Sequence, residues 1–183
     1  MSRLSTLDEN NLAPDARAFL DALNSGPRGK IGLIGPFGVW AHAPVIGQAA
    51  QTFGGAVRFK TTLPERIKEI AICTVGAYYK AKFEFAAHGP MAIAAGVPAE
   101  AVEAIRLGRD PTLTDADAVS YRVALELLHE HRLSNATFAD AKARFGEAAL
   151  VELVTIIGYY CLISLTLNAF DVELTSRMTN PFP

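Results

Sequence analysis

The fold of this chain is decided by one stretch, LPERIKEIAICTVGAYYKAKFEFAAHGPMAIAAGV, residues 63–97. Its spacing predicts two consecutive helices, with Glu69 on the first and Glu84 and His88 on the second. Glu84 and His88 are four positions apart, so on a helix their side chains meet on one face. A carboxylate beside an imidazole in apolar surroundings is a common way to tune a proton-transfer group. The stretch therefore predicts an acid–base pair within a helical core.

Length and composition favour a single globular domain over residues 1–183, with an N-terminal arm to about residue 35 and an extended tail from about residue 175. Half of the residues are hydrophobic and 20% are charged, which excludes a disordered chain. The net charge is −2, so nucleic acid is not expected as a partner. The hydrophobic fraction is slightly high for a lone domain, which favours a buried subunit interface.

The two cysteines, Cys73 and Cys161, lie far apart in apolar runs and form no metal-binding or CxxC spacing. We interpret them as buried free thiols in a reducing compartment. The N-terminus lacks the apolar core of a signal peptide, and the longest apolar run, residues 156–167, is too short to span a membrane. The expected location is the cytoplasm, without a membrane partner.

No segment shows the period of two that is typical of strands, so the sequence predicts an all-α protein of about seven helices. The first helices are expected over 15–23, 39–54, 62–80, 82–95 and 98–107. Further helices begin at Thr114 and at Ser134 or Asn135, and Gly146 separates the latter from a last apolar helix over 147–169. Thr62 is the predicted N-cap of the first central helix.

The first central helix, predicted over 62–80, has one apolar face that is expected to pack in the core, and it carries both polar and apolar residues on the opposite face. Glu69, Ile72 and Gly76 share this face, and a glycine inside a helix costs about 1 kcal/mol relative to alanine. Such residues are unusual for a solvated surface. We therefore expect a second packed partner there, for example another subunit.

Four segments carry a resemblance to a known family: 40–47 (WAHAPVIG), 63–97, 133–160 and 165–174. With these motifs the chain resembles the carboxymuconolactone decarboxylase family, which includes the alkyl hydroperoxidase D-like proteins. The resemblance implies an all-α, alkyl hydroperoxidase D-like helical bundle. It also implies assembly into a homotrimer or homohexamer, with active sites close to subunit interfaces.

The redox branch of that family carries a glutamate, a CxxC pair and a histidine. By this resemblance, the glutamate corresponds to Glu69 and the histidine to His88, while the two cysteine positions fall on Ala81 and Glu84. A dithiol peroxidase needs an attacking thiolate and a resolving thiol. Because this chain has neither at those positions, peroxidase activity of that kind is not expected.

The predicted catalytic residues are Glu69, Glu84 and His88. Glu84 would orient and charge the imidazole while His88 moves the proton, and Glu69 would relay a proton or orient the base. The alternatives are structural: a helix-tying Glu84–His88 pair and a Glu69 salt bridge at a subunit interface. The predicted substrate-binding residues are Trp40, His42, Phe83 and Tyr159.

No cofactor and no metal are expected, since the two histidines and carboxylates near the motif lack a recognised metal spacing. The favoured function is a cofactor-free lyase, decarboxylase or isomerase that moves a proton next to the carbonyl of a small organic acid or lactone. The decarboxylase resemblance implies an enol intermediate that a residue such as His88 protonates. A hydroperoxidase-type redox protein and a non-catalytic oligomeric ligand-binding protein are the alternatives.

Overall fold

The computed structural model describes residues 2–183, and within that range the chain forms helices and no strand. The all-α prediction is confirmed. The helices, in chain order, are α1 Pro14–Asn24, α2 Pro36–Trp40, α3 Pro44–Phe59, α4 Glu65–Tyr78, α5 Lys82–Ala94, α6 Ala99–Arg106, α7 Asp115–Glu130 and α8 Asn135–Ala169.

Local sequence signals account for most of the helix ends. The Thr137 N–H donates a hydrogen bond of 3.1 Å to Ser134 Oγ, which caps α8 as predicted. Gly146, with φ of 79°, interrupts the helical backbone of α8, so the predicted separation of two helical segments is confirmed. Thr114 is the N-cap position of α7.

Two predicted boundaries are wrong. The segment predicted as one helix over 39–54 is divided between α2 and α3, because Pro44 keeps the preceding Ala43 out of helical geometry. Thr62 does not cap α4, which begins at Glu65 after Pro64. The Thr62 N–H and hydroxyl instead donate to the Glu152 carboxylate, at 2.8 and 2.9 Å.

Helix α4 lies at the centre of the molecule and packs against α5, α6, α7 and α8. Every residue of α4 from Ile67 to Gly76 is buried. The second packed partner of its Glu69 face is therefore supplied by the same chain rather than requiring another subunit. At Gly76 the helix lies against α5, where an added Cβ would sit 3.6 Å from the Phe85 backbone nitrogen.

The Gly- and Pro-rich segment between α1 and α2 packs down onto the helices. The Asn24 side-chain oxygen accepts hydrogen bonds from the N–H groups of Ile31 and Gly32, at 3.2 and 3.3 Å. Ile31 and Leu33 pack against the main core.

The C-terminal elements complete the core. By length and composition α8 could cross a membrane, but half of its most apolar 18-residue window is buried in the structure, which is typical of a core helix. The tail after α8 also packs down, since the Phe182 ring lies 5.5 Å from that of Phe85 and Arg106 donates to the Pro181 carbonyl.

Candidate functional site

Helices α4 and α5 bring two carboxylates to opposite nitrogens of one imidazole. Nδ1 of His88 lies 2.7 Å from Oε2 of Glu69, and Nε2 lies 3.1 Å from Oε1 of Glu84. The first contact is a hydrogen bond, whereas Glu84 Oε1 is close enough for an ion pair but receives no aligned hydrogen bond within residues 2–183. Glu69 thus fixes the ring, and Glu84 modulates the other nitrogen.

A network of paired charges lies behind Glu69. Arg58 Nη2 is 2.8 Å from Glu69 Oε1, and Arg58 Nη1 is 2.6 Å from Glu65 Oε1. Lys68 in turn lies 2.7 Å from Glu65 and donates to the Arg58 carbonyl at 3.0 Å. Glu69 is completely buried, and a buried carboxylate is tolerated only with such partners. The network therefore holds Glu69 in place.

A pocket of about 440 Å³ opens next to this cluster. Glu84 and His88 line it, but Glu69 does not. Most of the wall is aromatic or aliphatic, and its aromatic members are Phe37, Phe59, Phe83, Tyr159 and Tyr160. The volume and the few convergent polar groups suit a small organic molecule. The geometry assigns Glu69 a positioning place behind the imidazole, whereas His88 and Glu84 both line the cavity.

Burial and the neighbouring charges shift both pocket-lining ionisable groups. Burial raises the pKa of Glu84, which the His88 charge counteracts in part and the Glu69 charge reinforces. Burial alone lowers the pKa of His88, but the Glu84 charge and the Glu69 hydrogen bond outweigh it, so that pKa is raised. The imidazole consequently keeps its proton to higher pH than a free histidine, which suits a proton donor near neutral pH.

Two tyrosines of α8 complete the wall beside His88. The Tyr160 ring meets the imidazole edge to face, with 5.1 Å between centroids. Burial raises the pKa of Tyr160 well above its usual range and that of Tyr159 to about 12. Both phenols are therefore neutral at physiological pH. Tyr159 Oη donates to the Ala50 carbonyl at 3.3 Å and lies directly over Gly54.

Four of the seven predicted site residues line this pocket, namely Phe83, Glu84, His88 and Tyr159, and a fifth, Glu69, contacts His88 from behind it. Trp40 is buried beside Phe37, with 5.8 Å between ring centroids, and does not line the pocket. His42 is exposed and borders a separate cavity of about 240 Å³ near the N-terminal arm, with Phe83 between the two cavities. Their predicted substrate contacts remain predictions.

Sequence reasoning did not place two cations and two aromatic rings in the site. The sequence marked Arg58 only as a cation close to the motif, with an exposed surface residue as the favoured interpretation, and assigned no role in the site to Arg28, Phe37 or Phe59. Arg28 lies in an irregular loop, where no periodicity predicts which way a residue faces. The apolar residues in that Gly- and Pro-rich loop were the only available signal that it packs onto the core.

Neither cysteine belongs to the pocket. Cys73 is buried in a second apolar cluster between α4, α5 and α6, where burial raises the pKa of its thiol well above the usual range. Burial also raises the pKa of the partly buried Cys161. A thiol that stays protonated is a poor nucleophile. Within residues 2–183 no group of three or more His, Cys, Asp or Glu side chains is arranged to hold a metal ion.

No protein-family model matches the chain, and no curated protein matches it in sequence. Solved structures do match. An uncharacterized peroxidase-related protein with an alkylhydroperoxidase AhpD core from Ralstonia eutropha JMP134 superimposes with a TM-score of 0.77 at 16% identity, over 96% of this chain and 93% of that one. A peroxidase-related protein from Silicibacter sp. TM1040 gives 0.75 at 11% identity, over 96% and 92%.

A third similar structure is the debrominase Bmp8, with a TM-score of 0.69 at 13% identity, over 93% of this chain and 91% of that one. The chain has the AhpD-like fold. The fold expected from the family resemblance is thereby confirmed, while identities of 11–16% carry no information on activity.

Proposed function

We propose that this AhpD-like protein is a cofactor-free acid–base enzyme, a carboxymuconolactone decarboxylase-like lyase or an isomerase, that acts on a small organic acid or lactone. The observation that supports this proposal most directly is the His88 imidazole. Buried Glu69 holds it at Nδ1, Glu84 contacts it at Nε2, and His88 and Glu84 both line a pocket of about 440 Å³. A fixed, partly desolvated acid–base group at a small cavity is what proton transfer requires.

In the decarboxylation reaction, the bond between the substrate carbon and its departing carboxylate breaks, carbon dioxide leaves, and the electron pair remains as an enolate. Protonated His88 then delivers its Nε2 proton to that carbon. Glu69 and Glu84 stabilise the charged imidazolium before this step, which accounts for the raised pKa of His88. In an isomerisation, neutral His88 would take a proton from one carbon and return it to another.

The aromatic wall serves this chemistry by excluding water. Phe83 and Tyr160 flank the ionisable pair, and the neutral phenol of Tyr160 meets the imidazole ring edge to face. In a drier site the charges of Glu84 and His88 act more strongly on a developing enolate. A planar, unsaturated substrate would pack well between these rings.

The names of the similar structures suggest redox functions, peroxidase-related proteins and a debrominase. The residues of this chain do not favour a dithiol mechanism. Cys73 and Cys161 both lie outside the pocket, and the pKa of each thiol is raised by burial. Acid–base chemistry through His88 fits the lining residues better.

The proposed assembly is the homotrimer or homohexamer that the family resemblance implies. Large apolar side chains exposed on two helices support it, with Val45 of α3 80% exposed and Val151 of α8 66% exposed. Light scattering coupled to size-exclusion chromatography tests this proposal directly. A monomer at micromolar concentration would contradict it.

The proposed activity is tested by a screen of small lactones, enol acids and β-keto acids. Thermal shift identifies binders, and mass spectrometry then follows turnover of each binder by wild type and by His88→Ala. Turnover that collapses in His88→Ala supports the acid–base enzyme. Ligands that stabilise the fold of both proteins without turnover would favour the ligand-binding protein instead.

A further inference from the structure

Arg28 places a guanidinium at the His88 pocket. It lies in the loop between α1 and α2, is partly buried, and lines the same cavity as Glu84 and His88. Its guanidinium carbon is 5.5 Å from the centre of the Phe37 ring and 5.3 Å from that of Phe59. The cation is thus held between two aromatic faces, an arrangement that attracts arginine.

The other cations near the site are already neutralised. Arg58 contacts the carboxylates of Glu65 and Glu69, at 2.6 and 2.8 Å. Lys82 contacts the carboxylate of Asp171 at 2.7 Å. Arg28 has neither a hydrogen bond nor an ion pair with any residue from 2 to 183. It is therefore the pocket's uncommitted positive charge.

The loop around Arg28 is tied down, so this charge is placed before any ligand arrives. Asn24 accepts hydrogen bonds from Ile31 and Gly32, and Glu9 accepts one from the Leu33 N–H at 2.8 Å. Stacking on two rings further restricts the side chain. A guanidinium fixed in advance loses less conformational entropy when it binds an oxyanion.

We infer that Arg28 binds a carboxylate of a small, planar, unsaturated acid whose body packs between the aromatic walls and whose reacting carbon faces His88. The inference rests on the proposed function, because it names the substrate group that orients the acid for proton transfer. A guanidinium presents paired N–H donors that match the two oxygens of a carboxylate. Since it stabilises the charged group, the carboxylate that it holds is one retained through the reaction.

The test measures binding rather than turnover, with three planar acids as probes: benzoate, sorbate and cinnamate. Each acid is titrated beside its neutral amide into wild type, Arg28→Gln, Arg28→Lys and the control Arg177→Gln by calorimetry. Arg177 is exposed and does not line the pocket, so its substitution makes the same charge change elsewhere. At least one acid is expected to bind wild type roughly tenfold or more tightly than its amide.

In Arg28→Gln the affinity for that acid should fall roughly 10- to 100-fold and the preference over the amide should disappear. Arg28→Lys should keep part of the affinity for that acid and part of the preference over its amide, and Arg177→Gln should match wild type in both. Equal binding of acids and amides by wild type would overturn the inference, as would binding of no acid or a preference that survives in Arg28→Gln. Arg28-dependent binding without turnover of any substrate would instead refute the proposed function and leave the carboxylate site standing.

Discussion

The Glu69 carboxylate lies 2.7 Å from Nδ1 of His88, although the two residues are 19 positions apart in the sequence. The contact joins the centre of α4 to the middle of α5, and Arg58 completes it from the other side of Glu69. Because Glu69 does not line the pocket, its effect on a reaction must pass through the residues that do, His88 by direct contact and Glu84 by charge. This separates Glu69, which positions the imidazole, from Glu84 and His88, which line the pocket.

Glu69→Gln should lower the pKa of His88, since a neutral amide keeps the shape of the side chain but no longer stabilises the imidazolium. The alkaline limb of the activity profile should move to lower pH by the same amount. NMR titration of the His88 ring protons measures the pKa. Glu103→Gln, which breaks an exposed ion pair with Arg106, is the matched control and should leave His88 unchanged. An unaltered His88 titration in Glu69→Gln would contradict the positioning role.

The stability of the fold should decrease as pH rises. In the folded protein both Glu84 and His88 have raised pKa values, so the folded state binds these protons more tightly than the unfolded chain does. The free energy of unfolding should fall as pH rises above 4.5, the ordinary pKa of Glu84, because of Glu84. It should fall further above 6.5, the ordinary pKa of His88, because of His88. Each contributes a slope of at most about 1.4 kcal/mol per pH unit.

Urea denaturation of wild type and His88→Asn between about pH 5 and 9 isolates the imidazole contribution. In His88→Asn the free energy of unfolding should no longer show the His88 contribution to its decrease above the ordinary pKa of histidine. Its decrease with pH below that value should remain. A wild-type free energy of unfolding that rises with pH over the upper half of this range would contradict the assigned direction of the His88 shift.

Gly54→Ala should damage the pocket wall. A Cβ on Gly54 would lie 1.9 Å from Tyr159 Oη, so the tyrosine must move and lose its bond to the Ala50 carbonyl. We expect a loss of about 1–3 kcal/mol in stability together with weaker binding of pocket ligands. Gly158→Ala is the control, since a Cβ there meets no atom within 4 Å, and it should stabilise α8 by about 0.5–1 kcal/mol. Equal effects of the two substitutions on ligand binding would argue against this placement of Tyr159.

Removing both thiols, with Cys73→Ala and Cys161→Ala combined, should leave turnover within about twofold of wild type, since neither residue lines the pocket. A modest loss of stability is expected, because Cys73 is buried. Turnover is measured on the substrate found in the screen, with a parallel assay of peroxide consumption. Loss of activity in a variant that remains folded would restore the redox alternative.

The sequence predicted most of the helices and part of the site, for physical reasons that operate over short distances. Periodicity and capping residues act within a few positions, so the break at Gly146 and the cap at Ser134 could be predicted. The pairing of Glu84 with His88 follows from one helical turn. The association of Glu69 with His88 was suggested only by the family resemblance. The spacing of residues within one helix cannot predict which residues of two different helices come into contact.

The remainder of the site depends on tertiary packing that no local pattern encodes. Arg28 reaches the pocket because a loop folds onto α3 and α2, as its contacts with Phe59 and Phe37 show. The expected cap at Thr62 failed because Glu152 of α8 binds that residue instead. Trp40 packs in the core and His42 lies at another cavity, although both belong to the 40–47 motif that carries part of the family resemblance.

The most direct test of the acid–base role is kcat for the identified substrate in wild type, His88→Ala and Glu84→Gln, each checked for folding by circular dichroism. The account predicts that His88→Ala lowers kcat by about 10²-fold or more, with a smaller loss in Glu84→Gln, because His88 moves the proton and Glu84 tunes it. A folded His88→Ala protein that turns over substrate at the wild-type rate would contradict it.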